Sequence, residues 1–135
     1  MPNMKFLSIV LALLGSAAAA QDAMSAAEFE AYVSGKTLFY EADGRRYGVE
    51  EYLSDRRVRW AFLDGSGQCK DGYWYEEAEQ ICFVYEDSPG PQCWSFYEDP
   101  RGLSAKFENE PDGRLLYEIE DTNDEMLCLG PDVGV

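Results

Sequence analysis

The spacing of apolar residues changes once along the chain, from a helical period to a period of two. The helical part is short: Ser25 and Glu28 form a capping box that predicts a helix start, and Gly35 predicts its end. The apolar face of this helix consists of Phe29, Tyr32 and Val33. From Thr37 onward, apolar residues recur at every second position in short runs, which predicts β-strands.

Turn signals separate these runs, starting with the hairpin turn Asp43-Gly44. The runs are Leu38 and Tyr40, Tyr47 and Val49, Val58 to Phe62, Tyr73 to Tyr75, Ile81 to Tyr85, Cys93 to Tyr97, Leu103 to Phe107, Leu115 to Ile119, and Met126 to Leu129. Regular short strands without a second helix predict a mainly β fold, an antiparallel meander of about seven to nine strands. Closure removes sheet edges, so we expect a small up-and-down barrel or curled sheet with the N-terminal helix across one open end. A two-sheet sandwich is the alternative.

The first 20 residues have the pattern of a cleavable signal peptide. Lys5 precedes the apolar run Phe6 to Leu14, and small residues end at Ala20. An N-terminal core helix is the alternative, whereas a membrane-spanning helix needs about 20 apolar residues. We therefore expect a signal peptide over 1–20, cleavage before Gln21, and one disulfide-bearing β domain over 21–135 in the periplasm or outside the cell.

Four cysteines, Cys69, Cys82, Cys93 and Cys128, lie in that domain. An even number in a small exported domain indicates two disulfides, whereas a four-thiolate zinc site usually contains a close C-x-x-C pair that this chain lacks. Cys82 and Cys93 flank the turn-rich stretch 87–91, and a hairpin there brings them together.

A different hairpin argues against pairing Cys69 with Cys82. If the chain turns at Glu77-Ala78, Tyr73 lies opposite Cys82 and Cys69 lies about 13 Å further along the strand. A disulfide requires Cα atoms within about 7 Å. Of the three possible pairings we therefore predict Cys82–Cys93 with Cys69–Cys128.

The sequence contains no histidine. This removes the Ser-His-Asp and Cys-His catalytic arrangements and the common zinc sites. The stretch 121–125 begins like a calcium loop, but Met126 stands where such loops need glycine. We therefore predict a protein that is not an enzyme, with no catalytic residue, no cofactor and no metal; a carboxylate-dependent enzyme is kept as a third hypothesis.

The domain after residue 20 carries 26 acidic and 10 basic residues, a net charge near −16. Such charge argues against nucleic acid and anionic lipid as partners, because both need a basic surface. No later apolar run predicts insertion into a membrane. The charge is compatible with plain solubility, or with binding or inhibiting a basic protein. The sequence leaves the oligomeric state open.

Aromatic residues supply the candidate binding surface. Tyr73, Trp74 and Tyr75 are consecutive, and a strand places them on both of its faces. Together with Trp94 they are our candidates for contact with a partner, although the more ordinary explanation is that one face fills the barrel while the other lies under the helix or beside a disulfide. The leading functional hypothesis is a non-enzymatic binding or accessory protein. Its alternative is a carrier of a small ligand or glycan in an aromatic-lined barrel mouth.

Four segments combine into one pattern: Tyr52 to Trp60, Cys69-x-x-Gly72-x-Trp74-Tyr75, Ile81-Cys-Phe and Gln92-Cys-Trp94. In this pattern the chain resembles a family of small exported α-proteobacterial proteins without an assigned function. The resemblance covers roughly residues 25 to 130. It implies export, a β-rich fold and paired cysteines, and it brings no catalytic or binding residues.

Overall fold

The computed structural model describes residues 21–65, 68–120, 126 and 128, together with positions 2 and 15. The predicted signal peptide, apart from those two positions, and the calcium-like stretch 121–125 lie outside the described residues. The run from Met126 to Leu129 is described only at Met126 and Cys128, neither of which is in a strand.

Within the described chain, one helix precedes eight strands that close into an antiparallel barrel in sequence order. The elements are α1 (Ala26–Val33), β1 (Thr37–Ala42), β2 (Arg45–Tyr52), a 3-10 turn (Ser54–Arg56), β3 (Arg57–Phe62), β4 (Cys69–Glu77), β5 (Gln80–Tyr85), β6 (Gln92–Asp99), β7 (Gly102–Phe107) and β8 (Leu115–Ile119). The predicted barrel is confirmed, and the sandwich alternative is wrong, since β8 pairs with β1.

Turn chemistry sets the register of two hairpins. Asp43 and Gly44 take positive φ angles of 52° and 73° in a two-residue turn, as predicted. The turn after β4 is formed instead by Ala78 and Glu79, with φ angles of 49° and 63°. Tyr75, not Tyr73, therefore lies opposite Cys82, so the predicted register was wrong by two residues. The error arose because neither turn residue is one that usually favours positive φ.

The helix closes one end of the barrel. Ser25 caps α1, and its side chain and that of Glu28 form the predicted capping box. The Ala26 amide donates to Glu76 Oε2 at 3.1 Å, which fastens the helix start to β4. The Tyr32 hydroxyl donates to Glu118 Oε1 at 2.8 Å, on β8. Both ends of α1 are thus tied to strands.

Phe29 fills the end of the barrel beneath α1. Its side chain is fully buried. Ring centroids lie 4.4 to 6.3 Å away in four other aromatic residues, Tyr52, Trp74, Phe83 and Phe96. Most of these pairs meet edge to face, the arrangement that aromatic quadrupoles favour. This end of the barrel is a packed core.

A second, smaller apolar cluster lies on the outside of the barrel. Phe39, Val49 and Ala61 point away from the interior on β1, β2 and β3, yet each is buried. Met126 and Cys69 pack against them. Met126, which lies beyond β8, therefore packs on this part of the outer face, and β1, β2 and β3 are buried on both sides at these three positions.

Both disulfides join the predicted partners. Cys82–Cys93 links β5 to β6, and Cys69–Cys128 links the start of β4 to the chain beyond β8. Two disulfides in one small domain are typical of an oxidising compartment outside the cytoplasm. In the part of the chain that the structure describes, no helix has the length and apolar character needed to cross a membrane.

Candidate ligand-binding site

The end of the barrel opposite α1 opens into a cavity of about 560 Å³, including its mouth. Its mouth lies where β2, β4, β6 and β8 begin. Nine aromatic residues line it: Tyr40, Tyr47, Tyr52, Trp60, Phe62, Phe83, Tyr85, Trp94 and Phe96. The remaining lining residues are Glu50, Lys70, Gln92, Ala105 and Leu116. Apolar, aromatic walls with few polar groups are typical of small-molecule sites.

Strand alternation and one irregularity aim these side chains inward. Trp60 lies opposite Glu50 in the β2–β3 pairing, so both face the interior. Beside them, Gly48 has no side chain, and the Trp60 indole occupies the space where a Cβ would stand. The β1–β2 register shifts after Tyr40, which leaves Tyr47 without a partner on β1. Such a bulge re-aims its residue, and Tyr47 packs against the ring of Trp60 with centroids 5.9 Å apart.

Glu50 is the one carboxylic acid among the described lining residues. Its side chain is only 1% exposed, and the Tyr85 hydroxyl donates to its Oε1 at 2.7 Å. Its Oε2 is buried and has no hydrogen-bond partner. Burial raises the pKa of Glu50 to about 8, although the hydrogen bond from Tyr85 acts to lower it. At neutral pH this carboxyl is therefore mostly protonated.

Two tyrosines form a second polar feature deep in the barrel. The hydroxyls of Tyr40 and Tyr52 lie 2.8 Å apart, and both side chains are buried. Burial raises the pKa of each phenol above its ordinary range, so both stay neutral at physiological pH. Two hydroxyls that share one hydrogen bond keep one hydrogen to donate elsewhere. The pair can therefore offer a donor to another acceptor.

Cations lie on aromatic faces near the mouth. The Lys70 ammonium is 2.9 Å from Asp87 Oδ2 and 5.3 Å from the centroid of the Phe62 ring. The Arg114 guanidinium lies 4.8 Å from the centroid of Tyr47. Contacts in this range are favourable cation–π interactions. The rim of the cavity thus already pairs positive charge with aromatic rings.

The four predicted surface aromatics do not form one surface. Tyr73 and Tyr75 lie outside the barrel with ring centroids 6.4 Å apart, and Tyr73 is 51% exposed. Trp74 points inward at the closed end and is 3% exposed. Trp94 lines the cavity instead. Of the four, the structure brings only Trp94 to the candidate site.

Sequence reasoning missed the residue that gives this cavity its chemistry. Glu50 is one of 26 acidic residues, and no motif distinguishes it from its neighbour Glu51. Trp60 and Tyr85 were predicted as strand residues but not as parts of a site. The alternation of Val58, Trp60 and Phe62 already indicated that these three share a face.

The chemistry available in the cavity is hydrogen bonding, charge pairing and aromatic contact. Across the described residues, no group of three or more Cys, Asp or Glu side chains is placed to hold a metal ion. No protein-family model, curated protein or solved structure matches this chain, so the resemblance to exported α-proteobacterial proteins stays a prediction.

Proposed function

We propose that this protein binds a small molecule in the open end of its barrel. The observation that carries the proposal is Glu50, whose Oε2 is buried in the cavity wall without a hydrogen-bond partner. A buried polar atom left unpaired costs about 1–3 kcal/mol, so Oε2 calls for a partner that the described residues do not supply, a water or a ligand. A ligand with a polar group at Glu50 and an apolar or aromatic body fits this arrangement.

The dimensions of the cavity support the same reading. The empty space of about 560 Å³ includes open solvent at the mouth; the part that the centres of water-sized groups can occupy is about 70 Å³, several times the roughly 10–15 Å³ that one water needs. Ala105 contributes only a methyl group to the wall, and Gly48 leaves room for the Trp60 indole that lines the cavity. Polar groups such as the Glu50 carboxyl and the Tyr40 and Tyr52 hydroxyls lie among the rings, which supports a compact ligand with polar as well as apolar parts.

Binding to a basic protein stays a second proposal. Its support is the net charge near −16, which attracts cationic partners at low salt. A specific complex should survive at physiological ionic strength, where the Debye length is about 8 Å. Either activity would belong in the periplasm or outside the cell, a proposal supported by the signal-like N-terminus and the two disulfides.

Binding of the neutral dye N-phenyl-1-naphthylamine to the disulfide-bonded protein tests the proposal. We expect saturable binding of one dye, with energy transfer from Trp60 and Trp94 because both line the cavity. Ala105→Phe fills the cavity, and Trp94→Ala removes part of its wall. Each should weaken dye binding by about tenfold or more. Folded protein that binds no dye would overturn the proposal.

The matched control changes an aromatic residue outside the barrel. Tyr73→Ala removes the ring that is 51% exposed on the outer face of β4. We expect it to change dye affinity by less than about twofold. If Tyr73→Ala weakens binding as much as Trp94→Ala, the dye binds the outer surface and the cavity is not the site.

A further inference from the structure

The surroundings of Glu50 determine what kind of group it can bind. Its Oε1 accepts from Tyr85, while Oε2 accepts from no described residue. Its cross-strand neighbours are Leu38 on β1 and Trp60 on β3. An ionised Glu50 is therefore flanked by an apolar side chain, an indole and a phenol. None of these three neighbours carries a positive charge, and Lys70, which also lines the cavity, is paired with Asp87, so a cation from outside the chain would favour the ionised form of Glu50 at neutral pH.

The closed end of the same barrel shows how this molecule satisfies a carboxylate beside an indole. The Arg56 guanidinium lies 4.4 Å from the centroid of Trp74 and 3.2 Å from Glu30 Oε1. One cation there contacts an aromatic face and a carboxylate together. At the open end, Glu50 and Trp60 supply the same two groups from neighbouring strands. A cation is the group that completes this combination.

We infer that the ligand is an organic cation, an amine on an apolar or aromatic body, whose ammonium group pairs with Glu50 Oε2 against the rings of the open end. This inference rests on the proposed function. Excess negative charge, 26 acidic against 11 basic residues, raises the local concentration of cations around the molecule. The aromatic faces of Trp60 and Tyr47 attract the same charge.

The protonation state of Glu50 determines how many protons are released when the amine binds. In the unliganded protein its carboxyl is protonated at neutral pH, since burial raises its pKa to about 8. Pairing with an ammonium favours the ionised form, so binding releases one proton to solvent and forms no covalent bond. The other groups near Glu50 do not add to this exchange. Tyr40, Tyr52 and Tyr85 have raised pKa values and stay neutral, and Lys70 is paired with Asp87.

Two isosteric probes test the inference: 1-naphthylmethylamine, which is cationic at neutral pH, and 1-naphthalenemethanol, which is neutral. Calorimetry at 150 mM salt and at pH 6, 7 and 8 gives both dissociation constants. We expect the amine to bind the more tightly at pH 7 and 8. As the pH rises toward 8, the dissociation constant of the amine should fall by about tenfold per pH unit. Above pH 8 it should level off. The alcohol should show no such dependence.

Glu50→Gln keeps the size of the side chain and removes its charge. It should weaken amine binding by about tenfold or more at pH 8, abolish its pH dependence, and leave alcohol binding within about threefold. Glu51→Gln is the matched control, because Glu51 is the next residue of the same strand and faces outward. It should leave both probes within about twofold of the original protein.

Each result has a defined meaning. If the alcohol binds as tightly as the amine, and Glu50→Gln keeps amine binding, the ligand is neutral and accepts a hydrogen bond from protonated Glu50; the cation inference is then wrong and the proposed function stands. If Glu51→Gln weakens the amine equally, only diffuse charge is involved, and the inference is again wrong. If neither probe nor the naphthylamine dye binds, the proposed function itself is wrong. Should Glu50→Gln not fold, the pH dependence of the two probes with the original protein still decides.

Discussion

The two ends of this barrel are built from the same kinds of side chain and reach opposite outcomes. At the closed end, α1 inserts Phe29 among four other rings, and no part of that side chain is exposed. At the open end, the rings of Tyr47, Trp60 and Phe62 surround a cavity. Aromatic richness alone therefore does not make a core; a segment of chain has to be placed among the rings.

The carboxylates of the two ends differ in burial and in partner. Glu30 at the closed end is partly exposed and meets Arg56 at 3.2 Å. Glu50 at the open end is 1% exposed and meets a tyrosine hydroxyl. Burial raises the pKa of Glu50 to about 8, although the hydrogen bond from Tyr85 acts to lower it. The closed end is a packed core, and the open end holds the candidate site.

Removing one ring from each end should give the largest difference in the free energy of unfolding. Phe29→Ala deletes a fully buried side chain and should lower the free energy of unfolding by about 3–5 kcal/mol. Phe62→Ala deletes a half-buried ring beside the cavity and should cost only about 1–2 kcal/mol. Guanidinium denaturation of the disulfide-bonded protein measures both. Equal losses would contradict the distinction between a packed end and an open one.

Adding one methyl group tests the wall of the open end. Gly48→Ala places a Cβ where the Trp60 indole lies, so the ring must move. We expect a loss of about 1–3 kcal/mol of stability together with weaker dye binding. Gly90→Ala is the control, since a Cβ there meets no neighbouring atom and should change stability by less than about 0.5 kcal/mol. Unchanged dye affinity in Gly48→Ala would show that Trp60 does not shape the site.

The pH dependence of stability reports on Glu50. Its pKa is raised from 4.5 to about 8 on folding, so the native state holds a proton that the unfolded chain loses. The contribution of protonated Glu50 to the free energy of unfolding is therefore fully present below about pH 4.5, and it is lost as the pH rises to about 8. Relative to Glu50→Gln, the original protein should lose about 1.4 kcal/mol per pH unit across that window and nothing more above it. A relative stability that rises with pH would mean that Glu50 is ionised in the folded protein.

The helix cap should give the smallest effect and test whether the two ends are independent. The Ser25 hydroxyl accepts from the Glu28 amide at 3.1 Å. Ser25→Ala removes this contact and should cost about 1 kcal/mol. Dye affinity at the far end should stay the same, because α1 does not line the cavity. A change in dye affinity would show that the helix also positions the binding end.

Much of the fold could be predicted because local signals agreed with the global structure. The capping box located α1, period-two runs located the strands, and the flanking turn identified the Cys82–Cys93 pair. The register at Ala78-Glu79 could not be predicted in this way. These residues carry no turn signal, and the hydrogen-bonded strands on either side force both into positive φ.

The site was harder to predict because β2 is buried on both faces. Its outward Val49 is buried in the outer cluster with Met126, whereas the bulge turns Tyr47 inward, so the two apolar residues of this run lie on opposite faces. The inner face carries Gly48, Glu50 and Tyr52, which show no apolar alternation. Which of two adjacent glutamates is buried follows from the face that β2 turns to the interior of the closed barrel. Closure joins strands that are distant in sequence, so periodicity does not encode it.

Barrel closure has a consequence for how the chain folds. Among the described strands, every ladder joins neighbours in sequence except β1 with β8, where Phe39 pairs with Ile119. Hairpins close short loops quickly, whereas this ladder must bring together segments far apart along the chain. We therefore expect it to form late. Until this ladder forms, β1 and β8 present unpaired edges that another chain can extend. Aggregation during folding is therefore most favoured just before the barrel closes, and closure removes both edges.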